Sequence, residues 1–286
     1  MEPRLSLEAG PMRLELAPDL GGAIAALTCD GAPLLRSTPA DADNVLQTAC
    51  FPMVPFANRI GHGRVAFGGR AATLPPNLPG DPHPLHGEGW QGAWTVERAT
   101  GDHAVLAFAP EASDWPWAYV ARQTFRLDPR GLTLTLEMVN TDTVPAPAGL
   151  GWHPYFPQDG AARLTAEVGG IWLTTPDLLP KRHLNNWFLA DWRRGAEVAG
   201  ERLIDHCHTG WTGSARIDLA AASLRMTASP ELGFLHVYAP PDADFFCVEP
   251  VSHRPDALNA PDPVAAGVRV LAPGETLAAE VRLELA

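Results

Sequence analysis

The sequence predicts an all-β protein, built as a large antiparallel β-sandwich. Apolar and polar residues alternate with a period of two in many short segments, and turn-forming residues separate these segments. The 286 residues include 29 prolines and 26 glycines, too many for a mainly helical architecture. Strands do not alternate with helical segments along the chain, so we expect them to pair antiparallel in two packed layers.

The individual elements follow from the same pattern. Strands are predicted at residues 132–139, 164–168, 215–219, 223–227 and 279–285. Turns are predicted at residues 77–80, 128–131 and 272–274. Residues 245–249 are predicted to form a buried strand that ends before Pro250, because proline cannot donate a ladder hydrogen bond. A helical turn is expected only within residues 186–195. No repeat or linker divides the chain, so residues 1–286 are predicted to form a single domain.

Composition and charge narrow the range of partners. With 46% hydrophobic and 19% charged residues, the chain has the composition of an ordinary globular protein. A net charge of -12 disfavours binding to nucleic acid or to an anionic membrane surface, so small neutral ligands are the expected partners. The sequence contains no signal-like segment and no apolar run of about 20 residues, and a cytoplasmic location is expected. Cys29, Cys50, Cys207 and Cys247 show no CxxC spacing and are predicted to be reduced and buried.

Two titratable side chains are candidates for acid–base chemistry. Glu249 lies at the end of a predicted strand, where burial would raise the pKa of its carboxyl and make it a stronger base. His153 lies among aromatic residues, and its imidazole is suited to delivering a proton to an ether oxygen near neutral pH. The structural alternatives are a glutamate ion-paired to Arg59 or Arg254 and a histidine that only packs in the core.

His86 begins a glycine-rich segment that is a candidate for ligand binding. Glycines permit a close approach of the backbone to a ligand, and the nearby Trp90 and Trp94 offer flat faces on which the apolar side of a sugar ring can stack. The structural alternative is a glycine-rich turn packed against aromatic residues.

Two other segments are candidates for hydroxyl contacts. Arg59 follows Asn58 in a predicted loop, and a guanidinium presents several fixed donors that suit vicinal hydroxyls, although an ordinary surface arginine is the alternative. His236 and Tyr238 share one face of a predicted strand, which directs both side chains at a cleft or at solvent.

The segment from Asp205 to His208 allows two interpretations. His206 and His208 alternate on one strand face and are candidate ligands of zinc or iron. No third ligand has a diagnostic spacing, and Asp205 is equally suited to accepting a hydrogen bond from a substrate hydroxyl.

The order of these motifs resembles that of the aldose 1-epimerase family, the galactose mutarotase-like enzymes. The resemblance covers nearly the whole chain, through residues 16–22, 58–60, 86–90, 153–156, 205–206 and 248–250. It implies a large antiparallel supersandwich, with Glu249 as the general base that removes the anomeric proton and His153 as the general acid that protonates the ring oxygen. Sugar contacts are then expected from His86, Arg59, Asp205, Asn58 and His236, the last of which stands where many members carry a glutamine.

The residues and the resemblance together predict an enzyme that interconverts the α and β anomers of an aldose. Neither a metal nor an organic cofactor is expected, and the protein is expected to be a monomer or a homodimer. A hexose-6-phosphate 1-epimerase is the first alternative, with Arg59, Arg64, Arg70 and Lys181 as candidate phosphate ligands. A non-catalytic sugar-binding protein is the second, although binding alone needs neither an acid nor a base. A glycoside hydrolase is the third, but it would usually pair two carboxylates.

Overall fold

A computed structural model describes residues 4–111, 113–158, 160–185, 190–198 and 202–286. In chain order, the first strands are β1 (Leu5–Ala9), β2 (Met12–Ala17), β3 (Ala23–Cys29), β4 (Ala32–Pro33), β5 (Cys50–Met53), β6 (Arg64–Phe67), β7 (Arg70–Thr73), β8 (Thr95–Ala99), β9 (His103–Phe108), β10 (Tyr119–Asp128), β11 (Gly131–Asn140) and β12 (Ala146–Ala148). The others are β13 (Gly151–Pro157), β14 (Arg163–Ala166), β15 (Gly170–Thr174), β16 (Pro180–Asn185), β17 (Ala196–Glu197), β18 (Ile204–Thr209), β19 (Ser214–Asp218), β20 (Ser223–Ala228), β21 (Phe234–Ala239), β22 (Phe245–Val251), β23 (Arg269–Leu271) and β24 (Thr276–Leu285). Single 3-10 turns lie at Val45–Gln47, Gly61–Gly63, Trp192–Arg194 and Ala257–Asn259.

The larger of two main sheets contains eleven of the described strands. Its order is β1-β2-β3-β5-β13-β22-β21-β18-β15-β16, with β4 paired beside β3. Neighbouring strands run antiparallel, including the central pairs of β13 with β5 and of β22 with β13 and β21. Strands that are far apart in the sequence are therefore neighbours at the centre of this sheet.

The second sheet contains nine of the described strands, in the order β17-β14-β19-β20-β24-β11-β10-β9-β8. Its apolar face packs on the larger sheet, because Phe125 of β10 and Leu134 of β11 share one buried cluster with Phe156 of β13 and Val248 of β22. Successive side chains on a strand point to opposite faces, so each strand contributes one face to this core. The structure confirms the predicted all-β antiparallel sandwich.

Most predicted elements coincide with observed ones. The five segments of period two correspond to β11, β14, β19, β20 and β24. The prediction that a strand ends before Pro250 is wrong, because β22 runs through the proline to Val251. Of the predicted helical turn, residues 186–189 lie outside the described residues, and a 3-10 turn forms at Trp192–Arg194. Within the described residues, no helix has both the length and the apolar character needed to span a membrane.

At the centre of the larger sheet, side chains are buried on both faces. On β22, Phe246 and Val248 point into the core between the sheets, whereas Cys247 packs in a smaller cluster on the opposite face. The period of two places Glu249 on that opposite face as well. Loops cover this second face, and the polar residues of the candidate site lie beneath them.

Backbone pairing between β13 and β22 is present at both ends of β13 but is interrupted in the middle. The interrupted stretch contains Pro154 and Pro250, and neither proline has an N–H to donate. The register is the same on both sides of the interruption, so His153 of β13 lies opposite Glu249 of β22. The ladder is therefore open where two titratable side chains face each other.

Candidate active site

His153 and Glu249 form a buried pair at the centre of the larger sheet. His153 Nε2 lies 3.3 Å from Glu249 Oε1, and the side chains are 9% and 2% exposed. The imidazole stacks against Phe51 and Tyr155, with ring centroids 4.6 and 4.7 Å apart. Among the described residues, the basic side chain within 4 Å of the Glu249 carboxyl is therefore His153, and not an arginine as the structural alternative required.

Burial moves the two pKa values of this pair in opposite directions. It raises the pKa of Glu249 to about 7, against the opposing positive charge of His236. It lowers the pKa of His153 to about 3, and the charge of His236 contributes to this shift. At neutral pH the pair therefore holds at most one proton, mainly on the carboxyl. A carboxyl with a pKa near neutrality is a stronger base than an exposed one and still ionises at physiological pH.

A second buried pair, His236 and Asp205, lies beside the first. His236 Nε2 is 2.7 Å from Asp205 Oδ1, and the backbone register places His236 opposite Glu249. Burial alone would lower the pKa of His236, but the charge of Glu249 and the hydrogen bond to Asp205 raise it to about 10. Asn58 Nδ2 lies 3.4 Å from His236 Nδ1, and an amide donor there favours a neutral ring with an unprotonated Nδ1. The charges of the Glu249 and Asp205 carboxylates outweigh the effect of this one neutral amide. His236 is therefore a cation at neutral pH and stabilises the ionised form of Glu249.

Carboxylates hold Arg59 at the rim of the site. Its Nε donates to Asp81 Oδ2 at 2.8 Å, and its Nη1 lies 3.9 Å from Asp205 Oδ2. Burial opposes the ionised form of Asp205, but the hydrogen bond to His236 and the charge of Arg59 together lower its pKa. Asp205 is therefore an ionised acceptor, fixed between two cations.

His86 lies on a turn whose backbone is left-handed. The φ angles of this turn are 59° at His86 and 76° at Gly87, and φ is 56° at Asn58 on the segment that is hydrogen-bonded to it. The Asn58 N–H donates to His86 Nδ1 at 3.1 Å, so the neutral ring carries its proton on Nε2. Burial keeps the ring neutral by lowering the pKa of His86 well below its usual value. A Cβ at Gly87 would meet the Val54 carbonyl oxygen at 2.2 Å, so backbone packing, and not the approach of a ligand, explains this glycine.

The predicted tryptophan platform for a sugar is wrong. Trp90 and Trp94 are 1% and 2% exposed, and both indole N–H groups donate to backbone carbonyls of their own loop. These rings are therefore part of the support beneath the loop. The aromatic side chains that line the site are Tyr155, Tyr238 and Phe245.

A cavity of about 350 Å³ connects the two pairs. It brings together every predicted site residue, namely Asn58, Arg59, His86, His153, Asp205, His236 and Glu249. A larger cavity, of about 630 Å³, lies beside the same loop, next to Trp115. The described residues lining it include three carboxylates but no histidine or cationic side chain, so it lacks an acid–base pair. We therefore place the site in the smaller cavity.

Sequence reasoning missed two residues of the site. Arg36 lies over the Tyr155 ring, 3.8 Å from its centroid, and its Nη2 donates to the carbonyls of Leu46 and Thr48. Asp81 anchors Arg59. Neither residue belongs to a motif that marks it for the site, since Arg36 and Tyr155, and likewise Asp81 and Arg59, lie on separate segments of the chain and become neighbours only on folding.

Each of the two histidines considered as candidate metal ligands has one ring nitrogen in a structural contact. His206 Nδ1 lies 3.2 Å from the Trp172 carbonyl, and His208 Nε2 accepts a hydrogen bond from Trp192 Nε1 at 3.1 Å. Burial lowers the pKa of His208 to about 3. Both rings have structural partners in the described part of the chain, which favours a packing role over metal binding.

Comparison with known proteins identifies the family of this chain. The family model described as aldose 1-epimerase matches residues 4–284. The uncharacterized protein YphB of Escherichia coli K12 is 33% identical over 291 residues, which cover 98% of each chain.

Solved structures share the fold. A crystal structure from Escherichia coli K12, whose name gives aldose 1-epimerase as a provisional assignment, matches with a TM-score of 0.92 and 31% identity over 99% of each chain. A galactose mutarotase-like protein from Clostridium acetobutylicum matches with a TM-score of 0.86 and 20% identity, over 99% of this chain and 95% of the other. A galactose 1-epimerase from Lactobacillus acidophilus NCFM matches with a TM-score of 0.81 and 16% identity, over 99% of this chain and 94% of the other. The family match over nearly the whole sequence, supported by the relative at 33% identity, shows that this chain belongs to the aldose 1-epimerase family.

Proposed function

We propose that this protein is an aldose 1-epimerase, which interconverts the α and β anomers of a non-phosphorylated aldose. The observation that carries the proposal is the contact of a carboxyl and an imidazole, 3.3 Å apart, in a cavity of about 350 Å³. Anomer exchange needs a base at the anomeric hydroxyl and an acid at the ring oxygen. These two oxygens are bonded to the same carbon, so an acid and a base in contact with each other can reach both.

Glu249 and His153 divide the proton transfers between them. Glu249 takes the proton of the anomeric hydroxyl, while His153 gives a proton to the ring oxygen as its bond to the anomeric carbon breaks. The anomeric carbon becomes an aldehyde, and rotation about the neighbouring carbon–carbon bond presents its other face. The same transfers in reverse then close the ring as the other anomer, and the pair recovers its starting protons.

The pair must hold one proton in total when the reaction begins. In the sugar-free site that proton lies mainly on Glu249, because its pKa of about 7 is above the value of about 3 for His153. The reactive form carries the proton on His153 instead, and the total charge is the same. An anomeric hydroxyl that donates to Glu249 and a ring oxygen that accepts from His153 both favour this form. Bound sugar is therefore expected to shift the proton from the carboxyl to the imidazole.

The other polar residues of the cavity supply hydrogen bonds of both kinds. Asp205 is an ionised acceptor, His86 presents Nε2–H as a donor, and Arg59 contributes a guanidinium anchored by Asp81. His236 is bound to Asp205 and lies opposite Glu249, so its charge acts on the base. This arrangement suits the hydroxyls of a neutral sugar.

The cations of the cavity favour a neutral aldose over a sugar phosphate. Among the described residues that line it, Arg36 donates to two backbone carbonyls and Arg59 is flanked by Asp81 and Asp205. Arg70, another candidate phosphate ligand, is paired with Asp142 outside this cavity. A phosphate would have to share these guanidinium groups with the carboxylates or carbonyls that already contact them, which reduces the gain from its own charge.

A polarimetric screen tests the proposed reaction together with the sugar-phosphate and non-catalytic alternatives. Fresh α-glucose, α-galactose, arabinose and glucose 6-phosphate are followed with and without enzyme. We expect at least one neutral aldose to be accelerated, with kcat/KM for glucose 6-phosphate lower by about 10-fold or more, as expected when a polar group finds no partner. A preference for glucose 6-phosphate would favour the sugar-phosphate alternative. Binding of an aldose without any acceleration would favour the non-catalytic alternative.

A further inference from the structure

Cys247 is a buried thiol that the proposed reaction does not use. It lies two residues before Glu249 on β22, so both side chains point to the same face of the sheet. It packs with Phe51 and Tyr155 beneath the site, and it is 0% exposed. Cys50, a second buried thiol on β5, which is separated from β22 by β13, belongs to the core on the opposite face. One of these two thiols therefore lies on the same face as the acid–base pair.

The thiol completes a group of three potential metal ligands. One ligand atom from each of Cys247, His153 and Glu249 lies within 4.8 Å of the other two. In tetrahedral zinc, with bonds of about 2.0–2.1 Å, nitrogen and oxygen ligands are about 3.3 Å apart. His153 Nε2 and Glu249 Oε1 are already 3.3 Å apart. The sulfur needs to approach by about 1 Å at most to reach the separation that a zinc–sulfur bond of about 2.3 Å requires.

Charge and access also suit a divalent cation. A thiolate and a carboxylate neutralise two positive charges, so the occupied site carries no net charge in its buried surroundings. His153 and Glu249 line the cavity, so an ion held by three protein ligands would have its fourth position directed at the cavity. A thiolate ligand selects zinc-like cations over Mg²⁺ and Ca²⁺, which prefer oxygen.

We propose that Cys247, His153 and Glu249 form a binding site for Zn²⁺, and that the ion inhibits the enzyme by competing with the aldose. Binding breaks the S–H bond of Cys247 and displaces the proton that Glu249 and His153 hold between them, and both protons leave to solvent as the bonds to the metal form. The bound ion takes the lone pairs of His153 and Glu249 that the proton transfers need. The binding site rests on the geometry alone, whereas the inhibition rests on the proposed function.

Binding is tested with Co²⁺, which occupies zinc sites and gives a thiolate-to-metal absorption band. We expect the full chain to take up one equivalent of Co²⁺ with this band, and Zn²⁺ but not Mg²⁺ to remove it. Cys247→Ser is expected to abolish the band, and Cys247→Ala provides a second test if the serine variant folds poorly. Cys50→Ser is the matched control, because it removes a buried thiol from the opposite face, and it is expected to keep the band.

Inhibition is tested separately on the same variants. Zn²⁺ is expected to raise the apparent KM for the aldose in the wild type, with kcat at saturating sugar unchanged. Cys247→Ser is expected to keep near-wild-type activity without zinc and to need about 10-fold more Zn²⁺ for the same effect, since it lacks one ligand. A missing band in the wild type, a band that persists in both Cys247 variants, or equal zinc sensitivity in the wild type and Cys247→Ser would overturn the proposal. A protein that binds Co²⁺ through Cys247 but exchanges no anomers would retain the site and refute the proposed function instead.

Discussion

Replacing the proposed base should stabilise the fold in a way that depends on pH. Burial raises the pKa of Glu249 from 4.5 to about 7. The folded protein therefore binds this proton more tightly than the unfolded chain, and the contribution of Glu249 to stability falls as pH rises from 4.5 to 7. At pH 8 the ionised carboxylate destabilises the fold by about 3 kcal/mol, from a shift of about 2.5 pKa units at 1.36 kcal/mol each. Glu249→Gln, which is neutral at every pH, removes this cost.

We expect the free energy of unfolding of Glu249→Gln to exceed that of the wild type by about 3 kcal/mol at pH 8. At pH 5, where the wild-type carboxyl is protonated in the folded protein, we expect the difference to be about 1 kcal/mol. For a chain of this size, the pH 8 gain corresponds to a rise in Tm of roughly 5 to 10 °C. Calorimetry or urea unfolding of both proteins at the two pH values measures it. Glu280→Gln, the same change at an exposed position of β24, is the matched control and should leave stability unchanged. A variant that is no more stable than the wild type at pH 8 would refute the claim that the buried carboxylate is costly.

Three further predictions follow from the site. The pH profile of kcat/KM should be flat at acidic pH and fall by about 10-fold per unit above pH 7, because the pair then loses its single proton through the pKa of Glu249; an unchanged rate at pH 9 would contradict this proton count. A chelator such as EDTA should not lower the activity, since the proton transfers use side chains, and a loss restored by zinc or iron would contradict the mechanism. Arg59→Ala and Asp205→Ala should mainly raise KM or change the preferred sugar, because both residues are assigned to hydroxyl contacts; equal losses of kcat on every sugar with binding intact would show a role in the chemistry.

The sandwich could be predicted because period two is a local property of each strand. The segments at β11 and β24 alternate apolar and polar residues, and their buried faces are the ones that the pattern predicts. The predicted end of β22 was wrong because Pro250, which lacks an N–H donor, was expected to end the strand. In the folded protein the strand continues, and the missing hydrogen bonds fall in the interrupted stretch opposite β13.

The members of the site could be predicted, but their arrangement could not. His153 and Glu249 lie in separate motifs, and only the register of β13 on β22 places them opposite each other. Trp90 misled the prediction because its indole N–H is satisfied within its own loop, a contact that composition does not reveal. Arg36 belongs to no motif that marks it for the site, since it meets Tyr155 only on folding. Sequence patterns thus identified the chemical groups, and strand pairing determined which of them meet.

The rate of anomer exchange in variants of Glu249 and His153 tests directly whether these two side chains carry the proton transfers. Glu249→Gln keeps the shape of the side chain but cannot take a proton, and His153→Asn cannot deliver one. Each should lower kcat by about 10² or more while sugar binding persists, and the double variant should lose less than the product of the two single losses. Polarimetry on protein shown to be folded by circular dichroism, with Glu280→Gln as the control, gives the result. Near-wild-type kcat in both single variants would contradict the assignment of Glu249 and His153 as the acid–base pair.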